Sequence, residues 1–162
     1  VLFAGKAVSI SLVLLIPMFF HPVWMVVLYY MLVTSVMGVL LAVVFQLAHC
    51  VEEAEFPIPQ EGTTRMKNAW AEHQVETTVD FATDSRSVSW LLGGLNFQVE
   101  HHLFPRVCHI HYPALSRIVV EVCREHGVRY NAHPTVLAGV LSHFRWLRRM
   151  GTIDPASAPA NV

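Results

Sequence analysis

The stretch LNFQVEHHLFP, Leu95 to Pro105, sets His101 and His102 side by side, with Glu100 before them and Gln98 three residues ahead of His101. On a helix, positions i, i+3 and i+4 share a face, so one turn can aim the Gln98 amide and both imidazoles at one pocket. Neutral imidazole suits iron, zinc and copper. Neighbouring helical side chains diverge by about 100°, so adjacent imidazoles serve two neighbouring metals better than one. The spacing alone also fits polar residues beside a membrane surface. The chain carries ten histidines, an excess for which metal binding is the leading explanation.

The elements that must position this turn begin with hydrocarbon. Before His49 the chain has no Asp or Glu, and its only Lys or Arg is Lys6. Two membrane spans are expected, roughly Val1 to Phe20 and Val23 to Ala48, joined by the tight HPVW connection with Trp24 at the interface. A lysine near a span end can reach the headgroups. The second span would be ~39 Å long against a hydrocarbon core of ~30 Å, so it must tilt or project into water. Lys and Arg follow it, which puts both ends of the hairpin in the cytosol. His49 stands where the span leaves the bilayer.

The fold class expected is an all-α membrane protein: a transmembrane helical hairpin over residues 1–48, a helical cytosolic cap over 49–150, and a disordered tail over 151–162. After a Glu- and Pro-rich loop, a helix is expected from about Thr64 to Thr78, carrying His73. Ser85 or Ser87 is a plausible N-cap for a helix from about Val88 that runs through Gly93 and Gly94 to the histidine pair and ends at Pro105. Pro113 suits a first helical position. Leu115, Ile118, Val119, Val122 and Cys123 give that helix an apolar face, and Gly127 ends it. In a last helix Val136, Leu137, Val140, Leu141 and Phe144 form the face. Arg145, Trp146, Arg148 and Arg149 crowd its end, a pattern for a helix lying on anionic lipid or for a plain cytosolic cap.

The composition, 54% apolar and 14% charged with a net charge of −1, is unusual for a soluble domain, a buried soluble hairpin being the alternative to two spans, and offers no basic stripe for nucleic acid. Cys50, Cys108 and Cys123 have no CxxC spacing and are odd in number, which argues for reduced thiols rather than a disulfide framework.

NFQVEHHLFP resembles the third histidine box of the membrane fatty acid desaturases, in the front-end variant with glutamine at the box's first position. FQLAHCVEEAEFP, EHQVETTVDFA and HYPALSRIVVEVCREHGVRYN extend the likeness over nearly the whole chain. The resemblance implies a four-span membrane core under a cytosolic cap. Histidines from three boxes, with one more after the last span, hold two irons. Such enzymes use dioxygen and two electrons to place a cis double bond in a fatty acyl chain, presented as acyl-CoA or acyl-lipid. The electrons come from a b-type cytochrome or a ferredoxin. Carried over by position, His49, His101 and His102 are metal ligands. Gln98 ligates through its oxygen or orients a ligand. Glu100 and His73 are candidates for supporting a ligand imidazole from behind. The HxxxH and HxxHH boxes are absent. The chain begins with Val1, so it reads as a C-terminal part, inactive alone, with those boxes expected upstream.

Rival readings are a related di-iron hydroxylase, ketolase or alkane monooxygenase, and a non-enzymatic membrane metal or haem module. Neither span has an internal histidine to serve as a haem axial ligand. Among the other histidines, His21 reads as an interface residue, and His109 with His111 as surface or capping residues. His126 suits a helix C-terminus, His133 a turn and His143 a solvated helix position.

Overall fold

The computed structural model describes residues 2–60, 62–63 and 66–152. Helix α1, Leu2–Met18, contains one widened π turn over Ser11–Leu15. Pro17 and a turn through His21 then lead into α2, Val23–His49. With 27 residues, α2 is about 40 Å long. It is the one helix among the described residues that is long and apolar enough to cross a membrane. Apart from Met25 and Val26 near its start, its leucines, valines and methionines are exposed nearly to its end, an arrangement that water penalises and lipid does not. Its one mid-helix threonine, Thr34, donates its hydroxyl to the Tyr30 carbonyl at 2.7 Å, so that hydroxyl is satisfied within the helix.

The chain divides into two units between Ala42 and Val43. In the first, Val13, Pro17, Met25, Tyr29 and Val33 help to line an apolar groove of about 530 Å³. The second takes the last turns of α2 and all that follows. Its short elements are α3 (Trp70–Glu76), β1 (Asp80–Phe81), α4 (Arg86–Leu91), α5 (Gln98–Leu103), a 3-10 turn (His109–His111), α6 (Tyr112–His126), β2 (Ala132–His133) and α7 (Val136–Thr152).

The segment around β1 ties this unit together. Val79 N–H donates to the Ala48 carbonyl at the end of α2, Phe81 N–H to Asn96 beside α5, and Asp80 and Ala82 N–H to Asn131 and His133. β1 and β2 pair in parallel, with Asp80 opposite Ala132 and Phe81 opposite His133. The expected all-α fold thus gains a two-residue ladder, because backbone groups buried between helices must find partners. Around it Val44, Leu47, Phe81 and Ala82 form a buried cluster, with Val88, Leu92, Leu95, Val136 and Val140 packed on it. Burial of each large side chain contributes about 1.5–3 kcal/mol.

Several sequence expectations are corrected. Helix α3 starts only at Trp70, while Thr64, where it was expected to begin, lies outside the described residues. The expected continuous helix from Val88 into the histidine pair is two helices. Gly93 and Gly94 adopt φ of +57° and +79°, left-handed values that end a right-handed helix and that glycine adopts freely. Ser85 caps α4 as expected, its side chain accepting from Val88 N–H. Pro113 and Gly127 bracket α6 as expected, Gly127 at φ +70°. On α6, however, Ile118 and Val122 are exposed, and Tyr112, Ser116, Val119 and Cys123 are buried. On α7, Val136 and Val140 pack inward but Leu137, Leu141 and Phe144 face out. Gly139 comes close to Leu47 instead. Gly151 and Thr152 complete α7 rather than opening a tail, and residues 153–162 lie outside those described.

Candidate metal centre

Histidines from two chain regions meet beside the end of α2. His49 is its last residue; His101 and His102 project from α5. The rings of His49 and His102 meet edge to face, with centroids 5.1 Å apart. Those of His101 and His102 are 5.8 Å apart. All three are half-buried.

Each ring is held at Nδ1 by a different neighbour. His102 Nδ1 lies 3.0 Å from Gln74 Oε1 on α3, and His49 Nδ1 lies 3.4 Å from the Thr77 carbonyl at the end of that helix. Both partners are acceptors, so both histidines donate from Nδ1 and keep the Nε2 lone pair free. His101 Nδ1 lies 3.4 Å from the Tyr112 hydroxyl. None of the three Nε2 atoms has a hydrogen-bond partner among the described residues. An outer hydrogen bond that fixes the tautomer of a metal-ligating imidazole is a recurrent arrangement. Burial, then the neighbouring His49 and His101, holds the pKa of His102 below the ordinary value. This keeps the ring neutral.

Gln98, on the first turn of α5, is almost fully buried, and its Nε2 has no partner. Glu100 points its carboxyl elsewhere. It makes no hydrogen bond to an imidazole; its Oε1 lies 3.3 Å from the Tyr130 hydroxyl, and its buried Oε2 has no partner among the described residues. Tyr130 donates to Asp80 Oδ2 at 2.6 Å, and Ser116 Oγ lies 3.1 Å from the same hydroxyl. Asp80 Oδ1 accepts from Val99 N–H at 2.9 Å, so this carboxylate caps the N-terminus of the histidine helix from another element, a contact worth about 1 kcal/mol. Burial and then the Asp80 charge push the Glu100 pKa up to about 9. Burial also raises that of Asp80, against hydrogen bonds that pull it down. Glu100 therefore holds the proton in this pair.

His73 is half-buried and its ring makes no hydrogen bond; its neighbour Gln74 is the α3 residue that reaches the centre. His109 and His111 are exposed on the 3-10 turn, not on a strand. His126 donates from Nδ1 to the Val122 carbonyl at 3.0 Å. His133 is not in an open turn but buried on β2, 3.3 Å from Glu53. His143 is not solvated; its Nδ1 donates to the Cys50 carbonyl at 2.6 Å and its ring stacks on Trp146. Asp80, Tyr130, Gln74 and Thr77 were not legible as site residues in the sequence. EHQVETTVDF carries three of them, but nothing local says which side chain turns toward α5.

Among the described residues no group of three or more His, Cys, Asp or Glu side chains is placed to hold a metal ion. The His49, His101 and His102 rings, each with Nε2 free, fit one part of an iron-binding set, not the whole of it; the unpartnered atom of buried Gln98 is its amide nitrogen, a donor that does not itself ligate a metal.

These features define a helical, membrane-associated protein with imidazoles from two chain regions gathered at the end of a long apolar helix. The fatty acid desaturase family model matches residues 1–134. The chain is 46% identical over 114 residues to the sn-1 linoleoyl-lipid 6-desaturase of Synechocystis, which covers 70% of this chain and 32% of that protein. It is 45% identical over 117 residues to the acyl-lipid (8-3)-desaturase of Physcomitrium patens, over 72% of this chain and 24% of the relative. With the acyl-lipid (8-3)-desaturase of Mortierella alpina it shares 38% identity over 147 residues, 91% of this chain and 33% of that protein. The chain belongs to the fatty acid desaturase family. It spans about a third or less of the length of these relatives. No solved structure matches it.

Proposed function

We propose that the chain is the C-terminal part of a membrane desaturase of the front-end type, which places a cis double bond in a fatty acyl chain. The observation that carries this reading is the meeting of His49 with His102, and of His102 with His101, each ring held at Nδ1 with Nε2 free. His49, His101 and His102 act as iron ligands through Nε2. Gln98 adds its amide oxygen or orients a ligand. The relatives, named as lipid-linked acyl desaturases, favour an acyl-lipid over an acyl-CoA substrate.

Two irons, when bound, supply the oxidising power that removes two hydrogens from an unactivated acyl chain, dioxygen being reduced to water with two electrons from a b-type cytochrome or a ferredoxin. The residues of this chain do the rest. Gln74 and Thr77 fix the imidazole tautomers. Asp80, Tyr130 and protonated Glu100 hold the histidine helix from behind. The apolar walls exclude water.

In this reading residues 1–48 cross the bilayer as a hairpin, and residues 49–150 form the cap on the cytosolic side. Three imidazoles and one amide are too few for two irons, so residues 1–162 alone are inactive and bind iron weakly. The test is His49→Ala, His101→Ala and His102→Ala in the complete enzyme. Each should leave membrane insertion intact, lower bound iron, and reduce double-bond formation to under ~1% of wild type, since a lost ligand costs more than the 10–100-fold of a lost outer hydrogen bond. A variant that retains both iron and product would remove its residue from the ligand set.

A further inference from the structure

The face that α7 turns outward is apolar, and its charge is of one sign. Leu137 is 66% exposed and Phe144 62%, with Leu141 between them on the same stripe at helical spacing. Arg148 continues that stripe, and Arg145 and Arg149 flank it, all three exposed. Helix α7 has no acidic residue, and none of the three arginines makes an ion pair among the described residues. The opposite face is fixed. Val136 and Val140 pack on the cluster containing Val44 and Leu47, and a Cβ on Gly139 would stand 3.2 Å from Leu47.

That packing sets the depth of α7. Helix α2 is about 40 Å long and the hydrocarbon core ~30 Å. The turns bearing Val44 and Leu47 are its last, and with α2 across a bilayer they would stand at headgroup level. Helix α4 grips the same cluster through Val88 and leaves Trp90 84% exposed.

We propose that α7 lies on the surface of an anionic phospholipid bilayer, its leucines and Phe144 below the headgroups and its arginines among them. The occupant is lipid rather than another protein because two independent features meet there. Unpaired positive charge complements anionic headgroups, each arginine being worth on the order of a fivefold preference near such a surface. The helix also packs against the part of α2 that leaves the bilayer. This rests on α2 spanning the membrane.

The test is amide hydrogen exchange of the complete protein in nanodiscs of phosphatidylcholine with and without phosphatidylglycerol. Amides of residues 137–149 should exchange on the order of tenfold more slowly in the anionic discs, while those of α6 stay unchanged. Replacing the arginines together (R145Q, R148Q and R149Q) should abolish the lipid dependence. Unchanged α6 exchange in this variant certifies its fold, and L137S with L141S gives a second variant that should speed α7 exchange in both discs. Equal exchange in the two disc types overturns the proposal, as it would if a second copy or a soluble protein covered this face. A chain that does not enter discs at all overturns the spanning reading first, and this inference with it.

Discussion

The ring of His49, at the end of the apolar helix α2, meets the ring of His102 on α5 edge to face with centroids 5.1 Å apart. A membrane-length helix and a short helix far along the chain thereby present imidazoles to one place. Helix α3 holds both rings from behind, at Gln74 and Thr77. The consequences can be tested one residue at a time.

Gln74 should matter to metal although it is not a ligand. Gln74→Ala removes the acceptor of the His102 Nδ1 proton, and the ring loses its fixed tautomer. Iron affinity of the complete enzyme, measured by chelator competition, should fall about 10–100-fold. Gln74→Glu keeps the acceptor and should retain most of the affinity. Equal loss in both variants would point to packing rather than the hydrogen bond.

Gln98→His should be tolerated better than Gln98→Ala in iron content and product yield of the complete enzyme. Imidazole can replace an amide as ligand or donor, whereas alanine leaves a gap at a buried position. An alanine variant equal to wild type would give Gln98 no part in the centre.

The Glu100 proton makes stability fall with rising pH. Its folded pKa is about 9 against an ordinary 4.5. Above pH 4.5 the unfolded chain releases a proton that the native state keeps, so stability declines up to about pH 9. The slope is about 1.4 kcal/mol per unit for one proton. His102 works the other way: its lowered pKa costs stability as pH falls below about 6.5. From about pH 7 upward that ring is neutral in both states, so the Glu100 contribution stands clear. Denaturant unfolding of the detergent-solubilised chain between about pH 7 and 9 should show the decline in wild type and a flatter profile in Glu100→Gln. Parallel profiles would show that Glu100 is not the proton holder.

The two adjacent glycines should not be equivalent. A Cβ on Gly94 would stand 2.7 Å from His109 Cβ, and its φ is +79°. Gly93 has φ +57° with open space around it. Gly93→Ala carries only the left-handed strain, about 1 kcal/mol, whereas Gly94→Ala adds a collision with a neighbouring turn and should cost about 3 kcal/mol. Thermal unfolding of the two variants side by side measures the difference.

The sequence by itself determined what local spacing encodes. An uncharged run from Val23 set α2 to within one residue of its end, because no charge interrupts it. Gln98, His101 and His102 shared a helical turn by spacing alone, and Ser85, Pro113 and Gly127 marked helix ends because each has a backbone role that does not depend on distant contacts. The family resemblance in NFQVEHHLFP was legible for the same reason. Only the tertiary structure decided which side chains stand behind the imidazoles. His73 and Gln74 are neighbours on α3, and the rotation of that short helix, fixed by its packing on α5, chose Gln74. The partner of Glu100 was likewise invisible, since Asp80 and Tyr130 reach it only when β1 and β2 pair. The apolar pattern of α7 was correctly seen as amphipathic, yet Leu137, Leu141 and Phe144 face outward. Periodicity gives a helix its stripe, but which stripe meets the core depends on a partner that no local pattern names. Here that partner is Leu47 against the bare backbone of Gly139.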